Sequence, residues 1–221
     1  MIIYGASMSP YVRKVIAVAI EKDVDFKIKT VGRGDRDPEF REASPLGKMP
    51  ALRDGDYLLS DSSAIAHYLE AKHPDPALYP ADARERGRAV WWEEFADTIL
   101  FGCIAKLFFH RVVAPRFEGK EGDLEMADRA EAEELPLLLD YLESEMPGGE
   151  HLVGDTLSIA DLALASPFAN LDHAGAKVDW SRYPKLDEWT KRMLARPSLA
   201  GSVQREQAYF AKIGHEVARR I

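Results

Sequence analysis

The chain has 221 residues, 29 Lys+Arg against 37 Asp+Glu, and a formal net charge of −8. That acidity argues against a general nucleic-acid binder, which displaces counterions with a basic footprint. Apolar residues at 46% beside 30% charged give the balance of a folded globular chain, long enough for one large domain or two small ones. A lone cysteine, Cys103, excludes an intramolecular disulfide, a CxxC redox pair and a cysteine-rich zinc site, and suits a reducing compartment.

The opening Met1-Ile2-Ile3-Tyr4-Gly5 has no basic n-region and no apolar signal core. The most apolar stretches, Val15 to Ile20 and Ile99 to Ala105, are too short to cross a bilayer. The expectation is a cytoplasmic chain with no membrane and no nucleic-acid partner.

In chain order, Ile2 to Tyr4 reads as a short strand turning at Gly5. Ser9 and Pro10 are the residue types preferred at the N-cap and first position of a helix. Val12, Val15, Ile16, Ala19 and Ile20 follow at helical spacing and predict one buried face. Phe26 to Val31 alternates as a second strand, then comes a loop with room for a short helix. Ala51-Leu52-Arg53 and Tyr57-Leu58-Leu59, around Asp54-Gly55-Asp56, predict a hairpin. Ser62 to Lys72 reads as a helix with Ile65, Tyr68 and Leu69 inward. The order is βαβαββα.

His73-Pro74-Asp75-Pro76 and Tyr79-Pro80-Ala81-Asp82 form a proline-punctuated connection that cannot continue a helix. Charge shifts at the same place: residues 1–75 carry 11 basic and 12 acidic side chains, residues 76–221 carry 18 and 25. The predicted division is a first domain over 1–75, a linker over 76–83 and an all-helical domain over 84–221.

In the second part, Phe95, Ala96, Ile99, Leu100, Cys103 and Leu107 make a stripe of four helical turns from Trp92. Phe101, Ala105, Phe108 and Val112 add a second apolar row, so this helix must bury two faces. Leu124 to Met146 is a second long helix that Pro136 should bend. Ser158-Ile159-Ala160-Asp161 has the form of a capping box, with Leu157 and Leu162 at the positions of a hydrophobic staple. Pro184 to Leu194 closes the series with Leu186, Trp189 and Met193 inward.

Three segments carry the chemistry: Tyr4-Gly5-Ala6-Ser7-Met8-Ser9-Pro10, Ser44-Pro45-Leu46-Gly47-Lys48-Met49-Pro50-Ala51-Leu52, and Ser60-Asp61-Ser62-Ser63-Ala64-Ile65. In this order they resemble the glutathione-binding domain of cytosolic glutathione transferases, and Gly154-Asp155-x-x-Ser158-Ile159-Ala160-Asp161 resembles the capping motif of that family's helical domain. The resemblance covers essentially the whole chain. It implies a thioredoxin-like first domain followed by the all-helical domain, with Pro50 as the cis proline before the third strand and Met49 offering its backbone to the cysteinyl part of glutathione. An X-Pro bond is the common place for a cis peptide.

Asp61 offers a negative charge for the γ-glutamyl ammonium. Ser62 opens a helix whose free N–H groups and dipole favour the carboxylate, although both residues could serve only as a cap. The family pattern puts Lys48 at the glycine carboxylate, with Arg36 a weaker candidate; both could equally be solvated surface charges, the favoured reading for Arg36. Ser9 matches the serine of phi, tau, theta and zeta class enzymes. No His or Asp lies nearby in sequence to make it a nucleophile, and its hydroxyl would instead stabilise the glutathione thiolate at a helix N-terminus. A cap role for Ser9 is compatible with this, Ser7 is a rival donor and Tyr4 a more remote one.

Omega-type enzymes carry cysteine where Ser9 stands, and the Ser-Ser-Cys-Ser-Trp signature of zeta enzymes is absent. Those departures argue against mixed-disulfide chemistry and against maleylacetoacetate isomerisation. The resemblance further implies an apolar electrophile pocket lined by Met8, Tyr11, Phe101, Phe108 and Phe109, with intramolecular core as the alternative for the phenylalanines, and it implies a homodimer. The six histidines show no metal-ligand spacing, so glutathione is the expected cosubstrate and no metal is expected. Cys103 falls on the core stripe and reads as a buried small hydrophobe. The expected activity is conjugation of glutathione to small hydrophobic electrophiles; a glutathione-dependent peroxidase or disulfide reductase, or a non-catalytic regulatory relative, are the alternatives.

Overall fold

In the computed structural model, which describes residues 1–215 and 217, the first domain is a four-stranded mixed sheet in the order β2-β1-β3-β4. Strand β1 (Ile2–Tyr4) leads through helix α1 (Pro10–Glu21) to β2 (Lys27–Lys29), which lies parallel to β1; helix α2 (Pro38–Ala43), strands β3 (Ala51–Asp54) and β4 (Tyr57–Ser60) and helix α3 (Ser62–Lys72) follow. β3 is antiparallel to β1 and β4. The predicted order is therefore observed. Strand β2 is shorter than the six residues its alternation suggested, because β1 offers only three partners, Ile2, Ile3 and Tyr4.

Successive strand residues face opposite sides, and the sheet uses both. Ile3 and Leu52 join Val12, Val15 and Ile16 of α1 and Ile65 and Leu69 of α3 in the main core. Tyr4 and Ala51 join Phe40 and Ala43 of α2 in a smaller cluster on the other side. Helix α1 is wedged between the sheet and the second domain, so it is buried nearly all round from Val12 to Ala19, with Arg13 and Lys14 included. Ile20, expected inward, is 41% exposed at its end.

The second domain comprises α4 (Ala83–Phe117), α5 (124–145), α6 (Ile159–His173), a short turn at Trp180–Arg182, α7 (Pro184–Leu194) and α8 (Pro197–Lys212). Helix α6 is the axis, buried along its whole length. Its start is held as the sequence predicts: the Asp161 carboxylate accepts from Ser158 N–H at 2.9 Å and from Leu152 N–H at 2.8 Å, and Leu162 is fully buried.

Two wide, π-type turns interrupt α4, at Phe95–Leu100 and Phe109–Val113. A wide turn adds a residue to the repeat, so the apolar stripe slips. Leu100, Cys103, Ile104 and Leu107 are buried, while Ile99, predicted inward, is 52% exposed. By length and composition α4 is long and apolar enough to cross a membrane, although its uninterrupted apolar runs are short. Here Leu100, Ile104, Leu107 and Val112 of that helix lie in the protein interior. In α5 another wide turn, Ala130–Glu134, precedes Pro136.

Helix α8 lies beyond Pro184 to Leu194, the last helix the sequence pattern predicts. Its inward positions are Leu199, Val203 and Phe210 together with Ser198, Ser202 and Glu206. The three polar members dilute the apolar period on which prediction rests.

Candidate active site

Strand register builds the site. Tyr4 pairs with Ala51, and Ala51 pairs with Ser60. The segments that leave β1, enter β3 and leave β4 therefore emerge side by side at one end of the sheet, spanning about 10 Å at the usual strand spacing. These are the Gly5–Ser9 turn, Met49-Pro50 and Asp61-Ser62. Gly5 (φ 149°) abuts Met49, since a Cβ on Gly5 would sit 3.4 Å from the Met49 Cβ and 2.5 Å from a Val12 methyl. Only glycine fits there.

Ser9 is the N-cap residue of α1, with extended backbone at φ −76° and ψ 125°. Its carbonyl accepts from Arg13 N–H at 2.9 Å, but its hydroxyl makes no capping hydrogen bond. That bond is the regular first bond of the helix, and among the described residues the half-buried Ser9 side chain has no hydrogen-bond partner at the positive end of α1. Ser7 is also half-buried. Tyr4 is not available: its ring is fully buried in the smaller cluster and its hydroxyl accepts from Arg53 at 3.2 Å.

The Met49–Pro50 peptide is cis. Before it, the buried Ser44 hydroxyl accepts from Lys48 N–H at 3.0 Å and donates to Lys48 carbonyl at 2.7 Å. The Lys48 side chain is exposed, as is Arg36. Asp61 sits at φ 85°, unusual for a residue with a Cβ. One carboxylate oxygen holds it there by accepting from Ser63 and Ala64 N–H at 3.0 and 3.1 Å. Asp61 therefore does cap α3; it remains exposed, with Ser62 nearly covered at 3%.

Behind this edge lies a charged network that the sequence pattern concealed. Lys14, 1% exposed, donates to Glu93 at 2.8 Å, to Asp97 at 2.5 Å and to the Ser63 hydroxyl at 3.2 Å. It ties α1, α4 and the start of α3 together. Tyr79 donates to Glu93 at 3.0 Å. Tyr11 donates to the Asp97 carbonyl at 2.8 Å, where the first wide turn of α4 diverts Phe101 N–H to Ala96. Burial, with Asp97 and Asp61 nearby, pushes the Tyr11 phenol up to about 12. It stays neutral throughout the physiological range.

Of the residues expected to line an apolar pocket, Tyr11 meets Phe101 edge-on at 5.2 Å. Phe109 lies under the Arg33 guanidinium, 5.0 Å from the ring centre, so the loop after β2 reaches across to α4. Met8 and Phe101 are half-buried against the main core, whereas Phe108 is 7% exposed and belongs to it. Two hollows elsewhere on the helical domain, one lined by His151, Arg192 and Arg196 and one by Arg111, Glu131 and Lys177, include none of these residues.

Comparison with known proteins bears on the same segments. Residues 3–77 match the family described as glutathione S-transferase, N-terminal domain, and residues 96–197 match its C-terminal domain. A glutathione S-transferase of Hyoscyamus muticus is 31% identical over 94% of this chain and 99% of its own length. The chain belongs to the glutathione S-transferase family. Glutathione S-transferase theta-3 of Mus musculus is 32% identical over 87% of this chain and 81% of that one. Among solved structures, the human T1-1 transferase in its apo form superposes with a TM-score of 0.81 at 27% identity, covering 98% and 92% of the two chains. The transferase I from mais, in complex with an atrazine glutathione conjugate, also superposes at 0.81, with 26% identity and 93% and 97% coverage.

The chain is a glutathione transferase, and several residues that shape its site escaped the sequence reading. Arg13 and Lys14 were not singled out, since charged residues in a helix are usually solvent-exposed. Their signal was their position inside an otherwise apolar helix. Ser166, Asn170 and His173 form a polar row at spacings of four and three along the buried α6, a pattern that marks an internal hydrogen-bonded seam.

Cys103 of the transferase sits in the core, its thiol donating to the Ala130 carbonyl at 3.8 Å. Burial and Glu134 push it up to about 11. A raised thiol pKa leaves almost no thiolate at neutral pH. A disulfide reagent added to the native enzyme at pH 7.5 should therefore release no thiol chromophore, and unfolding in guanidinium should release one equivalent. Rapid native labelling would contradict this placement. Among the described residues, no cluster of three or more His, Cys, Asp or Glu side chains is arranged to hold a metal ion.

Proposed function

We propose that this enzyme is a serine-type transferase in which Ser9 stabilises the glutathione thiolate for attack on small hydrophobic electrophiles. In this reading Met49, preceding Pro50, pairs its backbone with the cysteinyl unit. Asp61 and the α3 N-terminus at Ser62 take the zwitterionic γ-glutamyl end, and the exposed Lys48 takes the glycine carboxylate. Residues 1–75 supply the tripeptide site, 76–83 the linker and 84–221 the far wall, in a cytoplasmic homodimer.

The supporting observation is the register that brings Ser9, Met49-Pro50 and Asp61 to one sheet end, at a span suited to a tripeptide, with the Ser9 hydroxyl uncommitted. The chemistry follows. The thiol proton leaves to solvent, and the Ser9 hydroxyl, keeping its own proton, donates to the sulfur and lowers the thiol pKa. The sulfur lone pair then forms a C–S bond, and with an aryl halide the halide departs with the C–X electron pair. That the mais enzyme holds a glutathione conjugate supports the same use of this cleft.

The test is retention on immobilised glutathione followed by conjugation of a chromogenic aryl halide. Retention with turnover is expected; no retention would refute the tripeptide site. Met8, Tyr11, Phe101 and Phe109, all half-buried, are the proposed electrophile-facing wall, while Phe108 backs it from the core. Phe109→Ala should change relative kcat/KM among electrophiles of different size several-fold. A uniform change across the series would remove Phe109 from the pocket.

A further inference from the structure

We propose that Asn170 and Ser166, both on α6 of the helical domain, are positioning residues that aim the Ser9 hydroxyl; the proposal rests on the thiolate-stabilising role of Ser9. Three successive peptide groups around Ser9 are each held by a different partner. Asn170 Nδ2 donates to the Met8 carbonyl at 2.7 Å, fixing the plane before Ser9. Arg13 N–H donates to the Ser9 carbonyl at 2.9 Å within α1. The Ser166 hydroxyl donates to the Pro10 carbonyl at 2.9 Å, fixing the plane beyond.

The two α6 side chains are themselves locked. The Arg13 guanidinium donates to Asn170 Oδ1 at 3.0 Å, to the Ser166 carbonyl at 2.7 Å and to its hydroxyl at 3.2 Å. Since a guanidinium only donates, it forces the Asn170 amide to turn its oxygen toward Arg13 and its NH₂ toward Met8. Arg13 is braced in turn by Glu206 of α8, at 2.6 and 3.3 Å. Arg13, Asn170, Ser166 and Glu206 are all at most 2% exposed, so water does not compete for these bonds.

The proline after Ser9 restricts it to extended backbone, but a restricted basin is not an aimed hydroxyl. Reaction rates respond steeply to misplacement, by about a hundredfold for 1 Å. The clamp comes from the domain opposite the tripeptide subsites, so its loss should weaken thiol ionisation while leaving glutathione binding nearly intact.

Asn170→Asp keeps an acceptor toward Arg13 but replaces the donor to Met8 by an oxygen and adds a buried negative charge, so Ser166→Ala, which removes a hydroxyl with little change of volume and none of charge, is the control that separates positioning from electrostatics. For each, the pH titration of the bound thiolate absorbance and the steady-state constants should be read beside Ser9→Ala and the Ser9→Ala/Asn170→Asp double variant. We expect the bound thiol pKa to rise by about one unit and kcat to fall about tenfold, with the glutathione KM changed less than twofold. The double variant should be no slower than Ser9→Ala alone, because residues acting through one group are non-additive.

If Ser9→Ala raises the thiol pKa while Asn170→Asp and Ser166→Ala do not, or if the double variant's losses multiply, the positioning role is overturned and the Ser9 reading stands. If Ser9→Ala itself leaves the thiol pKa unchanged, the Ser9 reading fails and this proposal falls with it.

Discussion

Ser9→Ala should lower kcat/KM for an aryl-halide electrophile about a hundredfold, the scale on which removing one preorganised donor to a reacting anion costs rate. The Ser9 hydroxyl makes no capping hydrogen bond, so deleting it should leave α1 in place. A free thiol titrates near ~8.5, and the bound thiol should titrate below that in the native enzyme and return toward it in the variant. The acid limb of the pH–rate profile should move with it: with a raised thiol pKa, rate is lost at neutral pH and partly recovered as pH rises. Tyr11, pushed up to about 12, contributes no second limb below pH 10. Glutathione KM should change little, because the tripeptide's other partners lie in the loop before β3 and at the start of α3. A collapse of binding with unchanged kcat would contradict the assignment, and an equal effect from Ser7→Ala alone would transfer the role to Ser7.

Lys14→Met should be the most destabilising of the single changes considered. It leaves Glu93, 1% exposed, and Asp97, 15% exposed, buried without their cation, and breaking a buried pair from one side costs about 3–5 kcal/mol. At the scale expected for a chain of this size that is a fall in Tm of about 10 °C. Burial opposes the Lys14 charge, but Glu93 and Asp97 together outweigh it and raise its pKa above the usual 10.5. The sign follows from linkage: the contribution is intact below the unfolded-state value and is lost only as alkaline pH passes the folded one. Thermal melts near pH 7 would therefore see the full effect. Adding Glu93→Gln and Asp97→Asn to Lys14→Met should recover part of the loss, since the uncompensated charges are gone. A melt unchanged by Lys14→Met would show that the network carries no stability.

What could be read from the amino acids alone was chemistry confined to neighbours. Ser9-Pro10, Asp61 before Ser62, the Gly55 turn and the Ser158–Asp161 box each specify a turn or cap within a few residues, and each falls where expected. Features that depend on distant partners were not legible. Arg13 and Lys14 are charged, and only the docking of two domains around α1 makes them interior. The slip of the α4 stripe past Ile99 comes from a wide turn with no proline or glycine to announce it. Helix α8 was missed because Glu206, the brace for Arg13 across 193 residues of sequence, occupies an inward position that an apolar period would have filled. The register that assembles the site is likewise a property of strand pairing, invisible in spacing.

A crystal structure of the enzyme with glutathione shows whether the β1, β3 and β4 edge holds the tripeptide with its sulfur against Ser9. The prediction is a sulfur within hydrogen-bond reach of Ser9 Oγ, about 3–3.5 Å, with the cysteinyl backbone paired to Met49 and the γ-glutamyl end at Asp61. A sulfur on Ser7 or Tyr11, or a tripeptide seated away from this edge, would contradict it.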